Sequence, residues 1–162
     1  MSLAKIVEYD EASPEVRAVY AEIMALRKTD WINNFWKVLA NDPNTLRRIW
    51  ENVKQVMAPG ALDPLTKEMI YVAVSVSNNC EYCTYSHTAA ARNKGMTDAM
   101  WHELIAVVGL ANETNRLANG YRFPVDERFI PNTAIGPPSG FDQDSSEAPL
   151  SRLRDERRSG QE

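Results

Sequence analysis

The sequence predicts an all-α fold, and three observations carry that prediction. The same start signal, a capping side chain followed by proline, occurs at Ser13-Pro14, Asp42-Pro43 and Asp63-Pro64. Apolar residues recur behind each start at helical spacing. No segment shows sustained period-two alternation closed by turn pairs, so no sheet is expected. The start signal has a simple physical basis. A Ser or Asp oxygen accepts a backbone N–H that has no partner inside the helix, and proline at the first helical position gives up an N–H that was free anyway.

The first helix should run from Pro14 to about Lys28, with Val16, Val19, Tyr20, Ile23 and Leu26 on one apolar face. A short helix over Asn34–Ala40 would turn Phe35, Val38 and Leu39 inward. From Pro43 a third carries Leu46, Ile49, Trp50, Val53 and Val56 and ends before Pro59-Gly60. A fourth, from Pro64, carries Leu65, Ile70, Val74 and Val76 and ends near Asn78-Asn79, a pair suited to breaking a helix. A fifth begins at or just before Cys80 and stops at Gly95, a residue suited to the left-handed cap. Thr97 caps the next, which contains Trp101, Leu104, Ile105, Val107 and Val108, and a last helix is expected over about Ala111–Asn119. Because Met100–Ala111 is apolar on most sides, that segment should be buried, either as the central core helix or between subunits.

At 162 residues the chain is long enough for one domain with a substantial core. The helical domain should cover residues 1–120. Residues 121–162 change character. Pro124, Pro131, Pro137, Pro138 and Pro149, with the polar run Asp142–Glu147, argue for an extended or disordered C-terminal arm. Within it Phe123, Phe129, Ile130 and Phe141 could dock as isolated anchors, and Ser151–Arg158 could form a short charged helix. An arm wrapping a neighbouring subunit is the alternative.

Net charge is −4, and neither part of the chain is basic, which argues against nucleic acid and anionic membranes as partners. No N-terminal apolar stretch resembles a signal peptide, and no run of about 20 apolar residues could span a bilayer. A cytoplasmic location is the default expectation. In that reducing compartment a Cys-x-x-Cys pair suits redox or metal chemistry better than a structural crosslink.

Both cysteines of the chain lie in one such pair, Cys80-Glu81-Tyr82-Cys83, with His87 following. Cys80 and Cys83 are three apart and Cys83 and His87 four, so all three line one stripe of a helix. Cysteines one turn apart at a helix start can close a disulfide with little backbone movement. The free N–H groups and the helix dipole there stabilise a thiolate. His87 can take the proton of Cys83 directly or through a water. Its nearness favours Cys83 as the activated thiol, whereas the dipole favours whichever cysteine lies nearer the helix start.

Glu68 completes the candidate set. If the fourth and fifth helices form a hairpin broken at Asn78-Asn79, Glu68 lies opposite the thiols. Burial on an otherwise apolar helix would raise its pKa toward a range useful for proton transfer. The plainer reading is an exposed glutamate beside Lys67. The same four side chains could hold zinc, although three ligands within eight residues of one helix is unusual geometry for it. A dithiol that senses redox state without turnover is a further alternative. His102, Asp98 and Glu103 read as surface or helix-start residues, and Trp31, Trp36, Trp50 and Trp101 as core. No Gly-rich phosphate loop is present.

The run Glu68, eleven residues, Cys80-x-x-Cys83-x-x-x-His87, then an Ala-rich helix closed by Gly95, resembles the alkylhydroperoxidase D-like (AhpD-like) proteins of the carboxymuconolactone decarboxylase superfamily. The likeness extends from about Asp63 to Asn119, and the front helices resemble those of the peroxidase-related branch. It implies an AhpD-like helical bundle that assembles as a dimer, trimer or hexamer. It also implies a thiol peroxidase acting on alkyl or hydrogen peroxides, with no metal or flavin. In that scheme Cys83 attacks the peroxide oxygen and becomes a sulfenic acid, and Cys80 resolves it as a disulfide. Glu68 and His87 carry protons, and a lipoyl group or thioredoxin-like protein restores the dithiol. One position departs from the pattern. The best-known members carry a second histidine where Tyr82 stands, and a phenol is a poorer proton carrier near neutrality. Decarboxylase members generally lack the cysteine pair.

Overall fold

The structure is a computed structural model, and it describes residues 3–130. Every regular element among them is helical: α1 (Pro14–Arg27), α2 (Asn34–Leu39), α3 (Pro43–Met57), α4 (Pro64–Ser77), α5 (Glu81–Asn93) and α6 (Asp98–Tyr121), with single 3₁₀ turns at Tyr9–Glu11 and Glu127–Phe129. The three proline-marked starts are capped as their sequence requires. Ser13 Oγ accepts Val16 N–H at 3.3 Å, Asp42 Oδ1 accepts Asn44 N–H at 3.1 Å, and Asp63 Oδ1 accepts both Leu65 and Thr66 N–H, at 2.9 and 3.0 Å.

The chain divides into two units, Met1–Gly120 and Tyr121–Glu162. In the first, α1, α2 and α3 enclose a core of Val16, Val19, Tyr20, Ile23, Trp36, Leu46 and Trp50. The Trp36 and Trp50 rings meet edge to face at 5.5 Å. Tyr20 donates its hydroxyl to Val7 O at 2.9 Å and so ties the N-terminal segment to this core. In the second unit the Tyr121 and Phe123 rings stack, and Phe123, Phe129 and Ile130 are exposed. The expectations for Phe141, Asp142–Glu147 and Ser151–Arg158 lie outside the described residues.

Several inward-facing expectations are corrected. Leu26 and Phe35 are exposed, and in α2 it is Trp36 that enters the core. On α4 the buried positions are Glu68, Val72 and Ser75, whereas Ile70 and Val74 are exposed. The reason is geometric. Ile70 and Val74 lie off the face on which Glu68, Val72 and Ser75 are buried, and they line an open groove instead. The two helices expected after Thr97 are one, because no breaker separates them and Gly109 is tolerated in mid-helix. Nor is Met100–Ala111 a central core helix. Val108 alone of α6 is buried, while Val107 and Leu110 stand 64% and 63% exposed, because no other helix among the described residues covers that side.

The reversal between α4 and α5 positions the site. Asn79 adopts the left-handed conformation (φ 56°). Asn79 N–H then bonds Val76 O at 3.2 Å and Cys80 N–H bonds Ser75 O at 2.9 Å, the paired bonds of a Schellman ending. Cys80, the last residue of that motif, is also the N-cap of α5. The far end of α5 closes in the same way, with Gly95 at φ 101° and bonds from Gly95 N–H to Arg92 O and from Met96 N–H to Ala91 O.

Asparagine tolerates the left-handed region better than other non-glycine residues, and alanine there costs about 1–2 kcal/mol. Asn79→Ala should therefore lower unfolding free energy by about 1 kcal/mol in urea titration, while Asn79→Gly should hold or slightly raise it.

Candidate thiol site on the α4–α5 hairpin

Cys80 and Cys83 are joined by a disulfide, with their Cα atoms 5.3 Å apart. The sequence places Cys80 at the N-cap and Cys83 in the first turn, so the sulfurs lie where the free amides of α5 gather. Cys80 Sγ accepts the Cys83 N–H at 3.3 Å. A cysteine sulfur thus fills the capping role that Ser or Asp takes elsewhere in the chain, and this environment favours negative charge on Cys80 when the pair is reduced.

One turn beyond Cys83, His87 Nδ1 meets Glu68 Oε2 at 2.6 Å. Glu68 is buried, and its other oxygen accepts from Lys94 Nζ at 2.9 Å. Burial pushes the Glu68 carboxyl up, but the hydrogen bonds and charges of His87 and Lys94 outweigh it and hold the group below the usual glutamate range. This corrects two expectations. Glu68 is not the exposed glutamate of the plainer reading, and its pKa is depressed rather than raised. It is an anion at neutral pH that holds Nδ1 of the imidazole and leaves Nε2 for other work. Nor does it bond the sulfurs; its side-chain partners are His87 and Lys94.

Tyr71 fixes the other coordinate of the imidazole. Its ring stacks on His87 with centroids 3.6 Å apart and planes 17° from parallel. Glu68 sets the rotation of the ring in its plane, and Tyr71 sets the plane itself. Tyr71 also lines the groove onto which both cysteines open. That groove has a volume of about 690 Å³, and its walls are mainly Val56, Met57, Leu62, Ile70 and Val74. Tyr82, between the cysteines, turns away toward α2. Its hydroxyl accepts the Phe35 N–H at 3.1 Å, and its ring stacks on Phe35 at 6.4 Å. Phe35 N–H is one of the free amides at the start of α2, so the residue standing in the histidine position of the resembled pattern caps a neighbouring helix.

The structure therefore brings Glu68 and His87 together across the hairpin and Cys80 and Cys83 together at its turn. His102 is exposed on α6. Lys94 and Tyr71 were missed by sequence reasoning. Their signal is the hairpin itself: an antiparallel pair reflected about Asn79 carries Tyr71 onto His87, and Glu68 onto Ala90, one turn from both His87 and Lys94. Among the described residues no group of three or more His, Cys, Asp and Glu side chains is placed to hold a metal, and sulfurs bonded to each other cannot serve as thiolate ligands. No helix among the described residues is long and apolar enough to cross a membrane.

This architecture, a helical hairpin that carries a cysteine pair at its turn and a carboxylate-held imidazole one turn further along the helix, is AhpD-like. The chain superposes on the crystal structure of the alkylhydroperoxidase AhpD core from Rhodospirillum rubrum with a TM-score of 0.77 and 53% identity, over 80% of this chain and 97% of that one. The model of the carboxymuconolactone decarboxylase family matches residues 43–125, and the chain belongs to that family. It is also similar to "uncharacterized protein 4 in cox locus" of Paracoccus denitrificans, at 43% identity over 54 residues, which are 33% of this chain and 49% of that protein. The match thus spans about half the length of that relative.

The Glu68 contacts give a pH-dependent prediction. A carboxyl whose pKa is depressed by folding stabilises the fold above its unfolded pKa, and that contribution is lost as pH falls through the folded value. Removing one partner in Lys94→Met should cost about 1–2 kcal/mol at pH 7, a charged hydrogen bond discounted for the half-exposed lysine. The difference from the parent should shrink below about pH 4, where glutamate protonates. Urea unfolding of both proteins at pH 7 and pH 3.5 reads this directly.

Proposed function

We propose that the chain is a thiol-dependent peroxidase that reduces organic or hydrogen peroxides by cycling Cys80 and Cys83 between dithiol and disulfide. The observation that carries this reading is the joining of two sulfurs, on a groove, one turn from an imidazole held by a buried carboxylate. The similarity to an alkylhydroperoxidase core supports it. Decarboxylation, the chemistry in the family's name, has no use for sulfurs that join to each other.

Two forces that pull toward different cysteines serve two different steps. With His87 four residues on, Cys83 loses its proton to the imidazole, and its thiolate attacks the terminal peroxide oxygen. The O–O bond breaks, the alcohol leaves with a proton returned from His87, and Cys83 becomes a sulfenic acid. Cys80, whose thiolate is favoured at the N-cap, then attacks the sulfenic sulfur and expels hydroxide, which leaves as water. Two electrons pass from the dithiol to the peroxide, and a dithiol donor such as a lipoyl group or a thioredoxin-like protein reduces the disulfide again. Glu68 stays ionised throughout. It orients the ring and stabilises it when protonated, as a carboxylate does beside a catalytic histidine. Tyr82 takes no part in the proton path, because its hydroxyl is committed to α2. The exposed apolar residues of α6 suit a homo-oligomer in which a second copy covers them.

The test is peroxide consumption with a dithiol reductant. The reduced parent should lose all free thiol on adding an equimolar amount of cumene hydroperoxide, without intermolecular crosslinks. Cys80→Ser and Cys83→Ser should both stop turnover. Cys80→Ser alone should accumulate a sulfenic acid that a carbon-acid probe can trap. His87→Ala should lower kcat/KM by about 10²-fold, the usual scale for a lost general base. Single mutants that consume peroxide at the parental rate would end this reading.

A further inference from the structure

The groove beside the sulfurs has a charged end. Lys67, Ile70, Tyr71 and Val74 share one stripe of α4, at i, i+3, i+4 and i+7, and all four line the groove that Cys80 and Cys83 close. Among the described residues Lys67 is the single charged side chain on that lining. Its Nζ donates to Val56 O at 2.8 Å and Ala58 O at 2.5 Å, carbonyls in the last turn of α3 and at its C-cap. These acceptors are uncharged overall, an ammonium has three donors, and no carboxylate among the described residues pairs with it. A cation with no counter-anion among the described residues, at the end of an otherwise apolar trough, calls for an anionic group on whatever the trough holds.

The length of the trough says how far that anion lies from the reacting atom. Ser75 shares the groove with the sulfurs and binds the Cys80 amide. Eight helical residues separate it from Lys67, an axial distance of about 12 Å. An extended hydrocarbon chain, with C–C bonds of about 1.5 Å, covers that distance in roughly eight to ten carbons.

We infer that the peroxide taken by this site is a hydroperoxide of a long-chain carboxylic acid. Its carboxylate would be bound by Lys67, its methylene chain would lie on Ile70, Val74, Val56 and Leu62, and its hydroperoxyl group would be delivered to the sulfurs roughly eight to ten carbons from the acid. This rests on the peroxidase reading for the chemistry, in which the O–O bond is cleaved and the product is the corresponding hydroxy acid. It does not rest on it for the binding.

Two measurements on the full chain separate the two ideas. The first is kcat/KM for 9-hydroperoxyoctadecadienoic acid against its methyl ester, with cumene hydroperoxide alongside. The free acid should be preferred by about tenfold at low salt, with the preference falling as salt is added. The acid-to-ester ratio within each variant should drop to about one in Lys67→Gln and survive in Lys67→Arg, so a general loss of activity cancels. The second is calorimetric binding of dodecanoate and of dodecanol, which needs no turnover. Dodecanoate should bind more tightly than dodecanol in the parent, and Lys67→Gln should abolish the difference. A ratio near one in the parent, or a preference that persists in Lys67→Gln, overturns the inference while leaving the peroxidase reading intact. Lys67-dependent dodecanoate binding with no consumption of any hydroperoxide overturns the peroxidase reading and leaves only the carboxylate-binding groove standing. Failure of dodecanoate to bind, as when a second copy fills the trough, overturns the inference as well.

Discussion

The reversal at Asn79 governs everything the site can do. A single residue in the left-handed region ends α4 in two backbone bonds, and the second of them, Cys80 N–H to Ser75 O, hands the chain directly to α5. Cys80 is thereby the end of one motif and the start of the next. Its sulfur sits over free amides because the turn is this short. The same reversal sets the antiparallel register that brings α4 residues against α5 residues, and so fixes which side chains meet His87. A longer connection would leave the same residues on both helices with no rule for their pairing.

Glu68 shows how that register becomes electrostatics. Burying a carboxylate is unfavourable unless it is paired, and here each oxygen has its own cation or proton donor, Lys94 on one and His87 on the other. The pairing keeps the group ionised where burial alone would neutralise it. A neutral acid in this position could exchange protons, whereas an anion can only orient and stabilise. The division of labour between Glu68 and His87 thus follows from a lysine that lies 26 residues away along the chain.

Much of this was legible in the sequence, for reasons tied to particular residues. The caps at Ser13, Asp42 and Asp63, and the stop at Gly95, are local chemistry, and local chemistry survives folding. Cys83 and His87 share α5 and Cys80 caps it, so their nearness along the chain needs nothing beyond the sequence. What failed was whatever depended on a neighbour. The inward faces of α2 and α4 were misjudged because apolar character identifies a stripe without saying what lies opposite. Ile70 and Val74 are as apolar as core residues, and they line a groove. The sign of the Glu68 shift was misjudged for the same reason, since burial was foreseeable and Lys94 was not. Tyr82 looked like a defect in a proton path, because its partner belongs to a helix 47 residues earlier.

That contact with Phe35 has a consequence for how this protein can change. The phenol is held by a main-chain amide, and every amino acid except proline supplies one. A change of side chain at position 35 therefore costs the ring contact but leaves the hydrogen bond that straps the cysteine turn to the front of the molecule. The tyrosine cannot be replaced in this way, since phenylalanine in its place would keep the ring and lose the hold. Mutational tolerance across this junction should be lopsided, broader on the helix that gives the hydrogen and narrow on the helix start that receives it.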